Sequence, residues 1–270
     1  MRRRTFLVLA TALAGIVFTT FPAGAITNGT PDTGTPPRYP NVGEITGLLP
    51  DGTLDEFICS GQLISPTVML TAGHCTSHFA SATGETILVT FQQPLDQGLF
   101  AAKKAVTDPK FDPITFSNDD GVVILKKAIN NVPLVQLPTA GLLDQMQAAG
   151  TLRSQEFMTV GYGCAASGGS VGVGGRPFCG PGNPGGGREF ATESFLGLSK
   201  QYISFQLNTT ATGQGAFCFS DDGGPHLLGT SFATVGATRF AVDTCQGQGT
   251  AQRLDIPSVR SFLGQFVTLP

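Results

Sequence analysis

A chain of 270 residues with a formal charge of −3, only 13% charged side chains, 36 glycines and no tryptophan is not built to hold nucleic acid or an anionic membrane surface, both of which need a positive field. Its length suits one large domain with a real core. Its glycine content points to many turns between short elements.

The first elements are an address. Met1-Arg2-Arg3-Arg4 leads into an apolar run from Phe6 to about Phe18, followed by Ala23-Gly24-Ala25. A basic start, a short apolar stretch and a small-x-small end describe an export signal over residues 1–25, cleaved before Ile26. A transmembrane anchor is the competing reading, but the run falls short of the ~20 apolar residues a span needs, and threonines interrupt it. Arg3-Arg4-Thr5-Phe6-Leu7 also resembles a twin-arginine signal, though a basic start alone gives the same clustering. Cleavage leaves 245 residues (270 less 25) and, without the three arginines, moves the charge from −3 to −6. The mature chain is expected to be secreted, monomeric and without a membrane span.

Strand patterns follow in chain order at Thr86–Phe91, Gly121–Leu125, Phe157–Val160, His226–Ala233 and Thr238–Val242, each alternating or wholly apolar. Residues 165–187, dense in Gly, Ser and Pro with Cys164 and Cys179 at the edges, read as a long surface loop pinched by a disulfide; an interdomain linker is the alternative. A helical stripe appears late, over residues 256–267. There Ile256, Val259, Phe262, Leu263 and Phe266 recur at helical spacing behind Asp255, a candidate N-cap. Many short strands and one terminal helix indicate an all-β protein, barrel or sandwich.

Six cysteines, all beyond residue 25, are an even number in a chain marked for export, so disulfides are expected, and spacing alone leaves fifteen pairings open. Without a Cys-x-x-Cys and with only three histidines, no metal is indicated, nor any organic cofactor. Asn28-Gly29-Thr30 and Asn208-Thr209-Thr210 fit the N-glycosylation pattern, which matters only in a host that glycosylates.

Three segments carry chemistry. Cys59-Ser60-Gly61-Gln62-Leu63-Ile64-Ser65 with Leu70-Thr71-Ala72-Gly73-His74-Cys75, then Asn118-Asp119-Asp120-Gly121-Val122-Val123-Ile124-Leu125, then Cys218-Phe219-Ser220-Asp221-Asp222-Gly223-Gly224-Pro225 resemble, in that order, the histidine, aspartate and nucleophile segments of chymotrypsin/trypsin-family serine proteases. Ile26-Thr27-Asn28-Gly29 resembles the mature N-terminus of the family, and Ala251-Gln252-Arg253-Leu254-Asp255 its last strand. The resemblance spans residues 26–267.

It implies two six-stranded antiparallel β-barrels over about 26–140 and 141–254, with a terminal helix at about 256–267. It implies His74 as general base and Asp119 as its orienting carboxylate, Asp120 being a solvated turn neighbour. The oxyanion hole falls to the N–H groups of Ser220 and Asp222. The specificity pocket falls to Ala216 and Phe217, apolar and without the Asp that selects basic side chains. Ile26 would insert to pair with Asp221, and disulfides Cys59–Cys75 and Cys218–Cys245 follow from the same likeness. Cys164–Cys179 rests on proximity and on the remaining pair.

The departure is at the nucleophile, where Asp222 stands in place of serine. Serine hydrolysis needs a hydroxyl, an imidazole to take its proton and donors for the oxyanion. A second anion beside His74 favours the imidazolium, and a negative charge beside the hole opposes a developing oxyanion. Attack by Asp222 on a peptide would give a mixed anhydride against a poor amine leaving group. The expectation is a secreted protease homologue without peptidase activity that binds a polypeptide partner. The alternatives are an active endopeptidase or esterase with apolar specificity and an unrecognised nucleophile, and an envelope-associated structural protein, for which no repeat or sorting signal speaks.

Overall fold

A computed structural model describes residues 25–55, 57–82, 84–91, 98–163, 187–241 and 245–270. A two-residue strand β1 (Thr30–Pro31) is followed by β2 (Val42–Leu48), β3 (Cys59–Ser65), β4 (Val68–Thr71), helix α1 (Gly73–Ser81), β5 (Thr86–Thr90), β6 (Phe100–Thr107) and β7 (Gly121–Leu125). Strands β2-β3-β4-β7-β6-β5 close into an antiparallel barrel. Helix α2 (Leu142–Ala148) and a single 3₁₀ turn (Leu152–Ser154) lead to β8 (Phe157–Gly161), β9 (Glu189–Leu198), β10 (Tyr202–Gln206), the one-turn helix α3 (Thr209–Thr212), β11 (Pro225–Leu228), β12 (Thr234–Ala241), β13 (Gln248–Arg253) and helix α4 (Pro257–Leu263). The order β9-β10-β13-β12-β11-β8 is closed by pairing of β8 with β9, and β1 extends the β9 edge. The two six-stranded antiparallel barrels and the terminal helix are those expected.

The wholly apolar runs have a physical reason. In β4, Met69 fills the first barrel, while Val68 and Leu70 face the second. In β7, Val123 points inward and Val122 joins Leu70. These strands are buried on both faces, so alternation disappears. The shared layer between barrels also takes Val160, Leu227, Leu254, Val259 and Phe262; the second barrel is filled by Phe157, Ile203, Phe205, Phe217 and Val235.

Three expectations are corrected. The run His226–Ala233 is not one strand: Gly229, at φ 57, turns the chain between β11 and β12, and Leu228 N–H donates to Ala233 O at 2.8 Å. The terminal helix is shorter than 256–267. Its N-cap is Ile256, with no side-chain cap. Asp255 is drawn away because its carboxylate receives the Leu143 N–H at 2.8 Å and both the Nε and Nη2 of buried Arg253 at 2.9 Å. Finally, α1 carries no apolar stripe that sequence periodicity detects; it forms where β4 ends and buries Gly73, Cys75, Thr76 and Phe79. Among the described residues no helix is long and apolar enough to cross a membrane.

Candidate active site

The strand-to-helix corner at Ala72–Gly73 sets His74 on the first turn of α1, and the Cys59–Cys75 disulfide ties that turn to β3. The entry to β7 passes close beneath it. A Cβ on Gly73 would sit 3.0 Å from both Asp120 N and Asp120 O and 3.1 Å from Asp119 Oδ1, so a side chain there would push the two segments apart. With glycine, Asp119 reaches His74 twice: Oδ1 accepts the His74 backbone N–H at 2.7 Å and Oδ2 lies 2.9 Å from Nδ1. Asp119 is fully buried. An imidazole held by a buried carboxylate on Nδ1 presents Nε2 outward.

What Nε2 faces is Asp222, whose Oδ2 is 3.9 Å away. The loop bearing Asp222 is pinned between the barrels. Asp222 O accepts Ser60 N–H at 2.9 Å, Ser60 Oγ donates to Ser220 O at 3.1 Å, and Gly223 N–H donates to Thr238 O at 2.8 Å. The Cys218–Cys245 disulfide anchors its start. Ser220 adopts φ 64, a left-handed conformation that is uncommon for a residue with a side chain. The backbone N–H groups of Ser220 and Asp222 lie close enough to the Asp222 carboxylate to favour its ionised form.

The charges follow from this packing. Burial pulls the His74 imidazole down, but Asp119, through charge and hydrogen bond, and then Asp222 outweigh it and raise its pKa to about 9. Burial raises the Asp222 carboxyl to about 6 against the downward pull of His74 and the two N–H donors. Near neutral pH the pair is therefore imidazolium facing carboxylate. Asp120, expected to be a solvated turn residue, is instead fully buried, with neither carboxylate oxygen hydrogen-bonded. Burial, and next the charge of Asp119, push its pKa well above the usual carboxylate range.

Ala216 and Phe217 are both fully buried. Ala216 exchanges backbone hydrogen bonds with Thr27 at 2.9 and 3.0 Å. Phe217 packs edge-on to Phe205 and to His226, and its ring covers Gly249, where a Cβ would lie 2.3 Å from Cζ. In the uncut chain Ile26 is still joined to Ala25, so its nitrogen is a backbone amide and not the freed ammonium expected to pair with Asp221. Ile26 N–H donates to Glu189 Oε2 at 2.9 Å, because the bridge between Thr27 and Ala216 carries the segment past β9. In this form the Asp221 oxygens accept Gly163 N–H at 2.9 Å and Cys218 N–H at 2.8 Å. Cys164 and Cys179 lie outside the described residues.

Sequence reading missed two neighbours of His74. The Phe116 ring sits 5.4 Å from the imidazole on a loop whose Phe116 and Asn118 are both left-handed. Arg239 holds that loop, its Nε and Nη2 donating to Phe116 O and Thr115 O at 2.6 Å. A positively charged residue on β12 opposes protonation of His74. Neither lies within the three motifs, and only the pairing of distant segments finds them.

The Trypsin family matches residues 45–258, and the chain belongs to that family. Among solved structures it is similar to HL collagenase (TM-score 0.61, 17% identity, covering 84% of this chain and 93% of the other). A double mutant of human heparin binding protein (CAP37) is alike at TM-score 0.60 and 17% identity, over 90% of this chain and 95% of that one. At such identities these likenesses speak for the fold alone.

Proposed function

We propose that this trypsin-family protein has no peptidase activity and works by holding a polypeptide in the cleft between its barrels. One observation carries the reading: the Asp222 carboxylate stands 3.9 Å from His74 Nε2, and the nearby N–H groups of Ser220 and Asp222 favour its charge. In a hydrolase those donors stabilise an oxyanion that develops only during reaction. Here a carboxylate already stands beside them, at the position that should attack.

The histidine side argues the same way. A general base works best with a pKa near the operating pH, and His74, raised to about 9, already carries its proton at neutrality. The buried Phe217 ring supports a specificity pocket that is filled rather than open. Two disulfides among the described residues suit an oxidising compartment, in keeping with export directed by residues 1–25.

A serine-directed phosphonate tests the reading. The wild-type chain should remain unmodified by mass spectrometry, whereas Asp222→Ser should take up one phosphonyl group at position 222. Stoichiometric labelling of the wild type at any serine would mean that an unrecognised nucleophile operates.

A further inference from the structure

Away from the cleft, on the far end of α1, three side chains from separate segments converge. Asp55 is fixed by its backbone, whose N–H donates to Gly47 O at 2.7 Å, and by its Oδ1, which accepts Phe57 N–H at 3.0 Å. Its other oxygen therefore turns to His78 Nε2, 2.9 Å away. His78 lies one helical turn beyond His74, and the Phe57 ring stacks on its imidazole at 3.9 Å between centroids and 24° between planes, fixing the ring's orientation.

Glu85 completes the group just before β5. Both of its carboxylate oxygens are buried and receive no hydrogen bond from an N–H or hydroxyl; their polar surroundings are the Asp55 carboxyl and the His78 imidazole. The position is specifically accommodated. A Cβ on Gly47 would lie 1.1 Å from Glu85 Oε1, so the carboxylate rests where any other residue at 47 would place its side chain. One donor atom from each of Asp55, His78 and Glu85 lies within 4.8 Å of the others. Two carboxylates turned toward each other repel unless a proton or a cation lies between them.

We propose that Asp55, His78 and Glu85 bind one zinc ion, which clamps α1 to the end of β2. An imidazole with two carboxylates suits a borderline transition ion, whereas calcium and magnesium favour oxygen-only sets. Zinc bonds of about 2.0–2.2 Å set tetrahedral edges a little over 3 Å, so Asp55 and His78 need part only slightly to admit it. The exposed edge of His78, whose side chain is 38% accessible, gives an entry path and room for water as fourth ligand. No sequence motif announces the site, because Asp55 and His78 are 23 positions apart.

The test uses the folded chain stripped of metal by a chelator, titrated with Zn²⁺ against a chromophoric competitor and followed by thermal unfolding. One ion per chain and a zinc-dependent rise in Tm are expected. His78→Ala and the near-isosteric Glu85→Gln should each weaken binding by at least about tenfold and abolish the rise, while Asp222→Asn leaves both intact. Absence of one-to-one binding, binding that survives both ligand variants, or tighter binding of Ca²⁺ overturns the proposal. Loss of binding in Asp222→Asn also overturns it, by moving the ion to the His74 cleft.

Discussion

His74 Nε2 and the Asp222 carboxylate face each other at 3.9 Å, with Asp119 2.9 Å from the opposite nitrogen. An imidazole between two carboxylates is an ion pair with a second anion behind it. The loop amides near Asp222 favour its charge, so the arrangement is self-satisfied: each charge has its partner within the protein, and none awaits a substrate.

The first consequence is spectroscopic. The His74 imidazole should titrate near pH 9 by NMR, matching its elevation by Asp119 and Asp222 over the burial penalty. Asp222→Asn removes one of the two anions and should bring the value down, though not to the ordinary range while Asp119 remains. A wild-type titration near the unperturbed value of about 6.5 contradicts the ion pair.

Stability should fall as pH rises. Glu44 is buried on β2, and desolvation raises its pKa from 4.5 to about 8. Asp222 is raised from 3.8 to about 6 and His74 from 6.5 to about 9. In each case the folded state holds its proton longer than the unfolded chain. The stability each group contributes is thus fully present below its unfolded value and lost as pH passes through the folded one. Denaturant unfolding should show a decline from about pH 3.8 to 9, and Glu44→Gln should flatten the part between 4.5 and 8. A stability that climbs through this window opposes the assignment.

Ser220 stands at φ 64, and a non-glycine residue in a sparsely populated region costs on the order of 1–3 kcal/mol. Ser220→Gly relieves that strain while loosening the unfolded chain, for a net gain of about 1 kcal/mol. In a domain of this size that raises Tm by roughly 2–4 °C. A lowered Tm would mean that the Ser220 side chain contributes more than its backbone costs.

Phe217→Ala empties a fully buried position and should destabilise the fold by about 3–5 kcal/mol in urea. Combined with Asp222→Ser, it should shift hydrolysis toward ester substrates with large apolar side chains. An unchanged preference would place the pocket elsewhere.

Much of this was legible from the chain. The three motifs located His74, Asp119 and Asp222, and the apolar run at Gly121–Leu125 is a strand with those bounds. Reading failed where tertiary contacts decide. Asp255 looks like an N-cap until buried Arg253 claims it, and Asp120 looks like a turn residue until the corner at Gly73 closes over it. The contact of the uncut Ile26 amide with Glu189 had no motif to announce it, because strand register sets it. Helix α1 is short and shows no periodic stripe, so its second histidine and the Asp55–His78–Glu85 group had no local signal.

The most direct measurement is hydrolysis of peptide and ester substrates with apolar side chains before the cleaved bond, by wild type and by Asp222→Ser. The account expects no turnover above background from the wild type and measurable turnover from Asp222→Ser. In that variant a hydroxyl replaces the anion, no carboxylate stands beside the N–H groups of Ser220 and of residue 222, and His74 loses one of the charges that keep it protonated. Turnover by the wild type equal to that of the variant would contradict it.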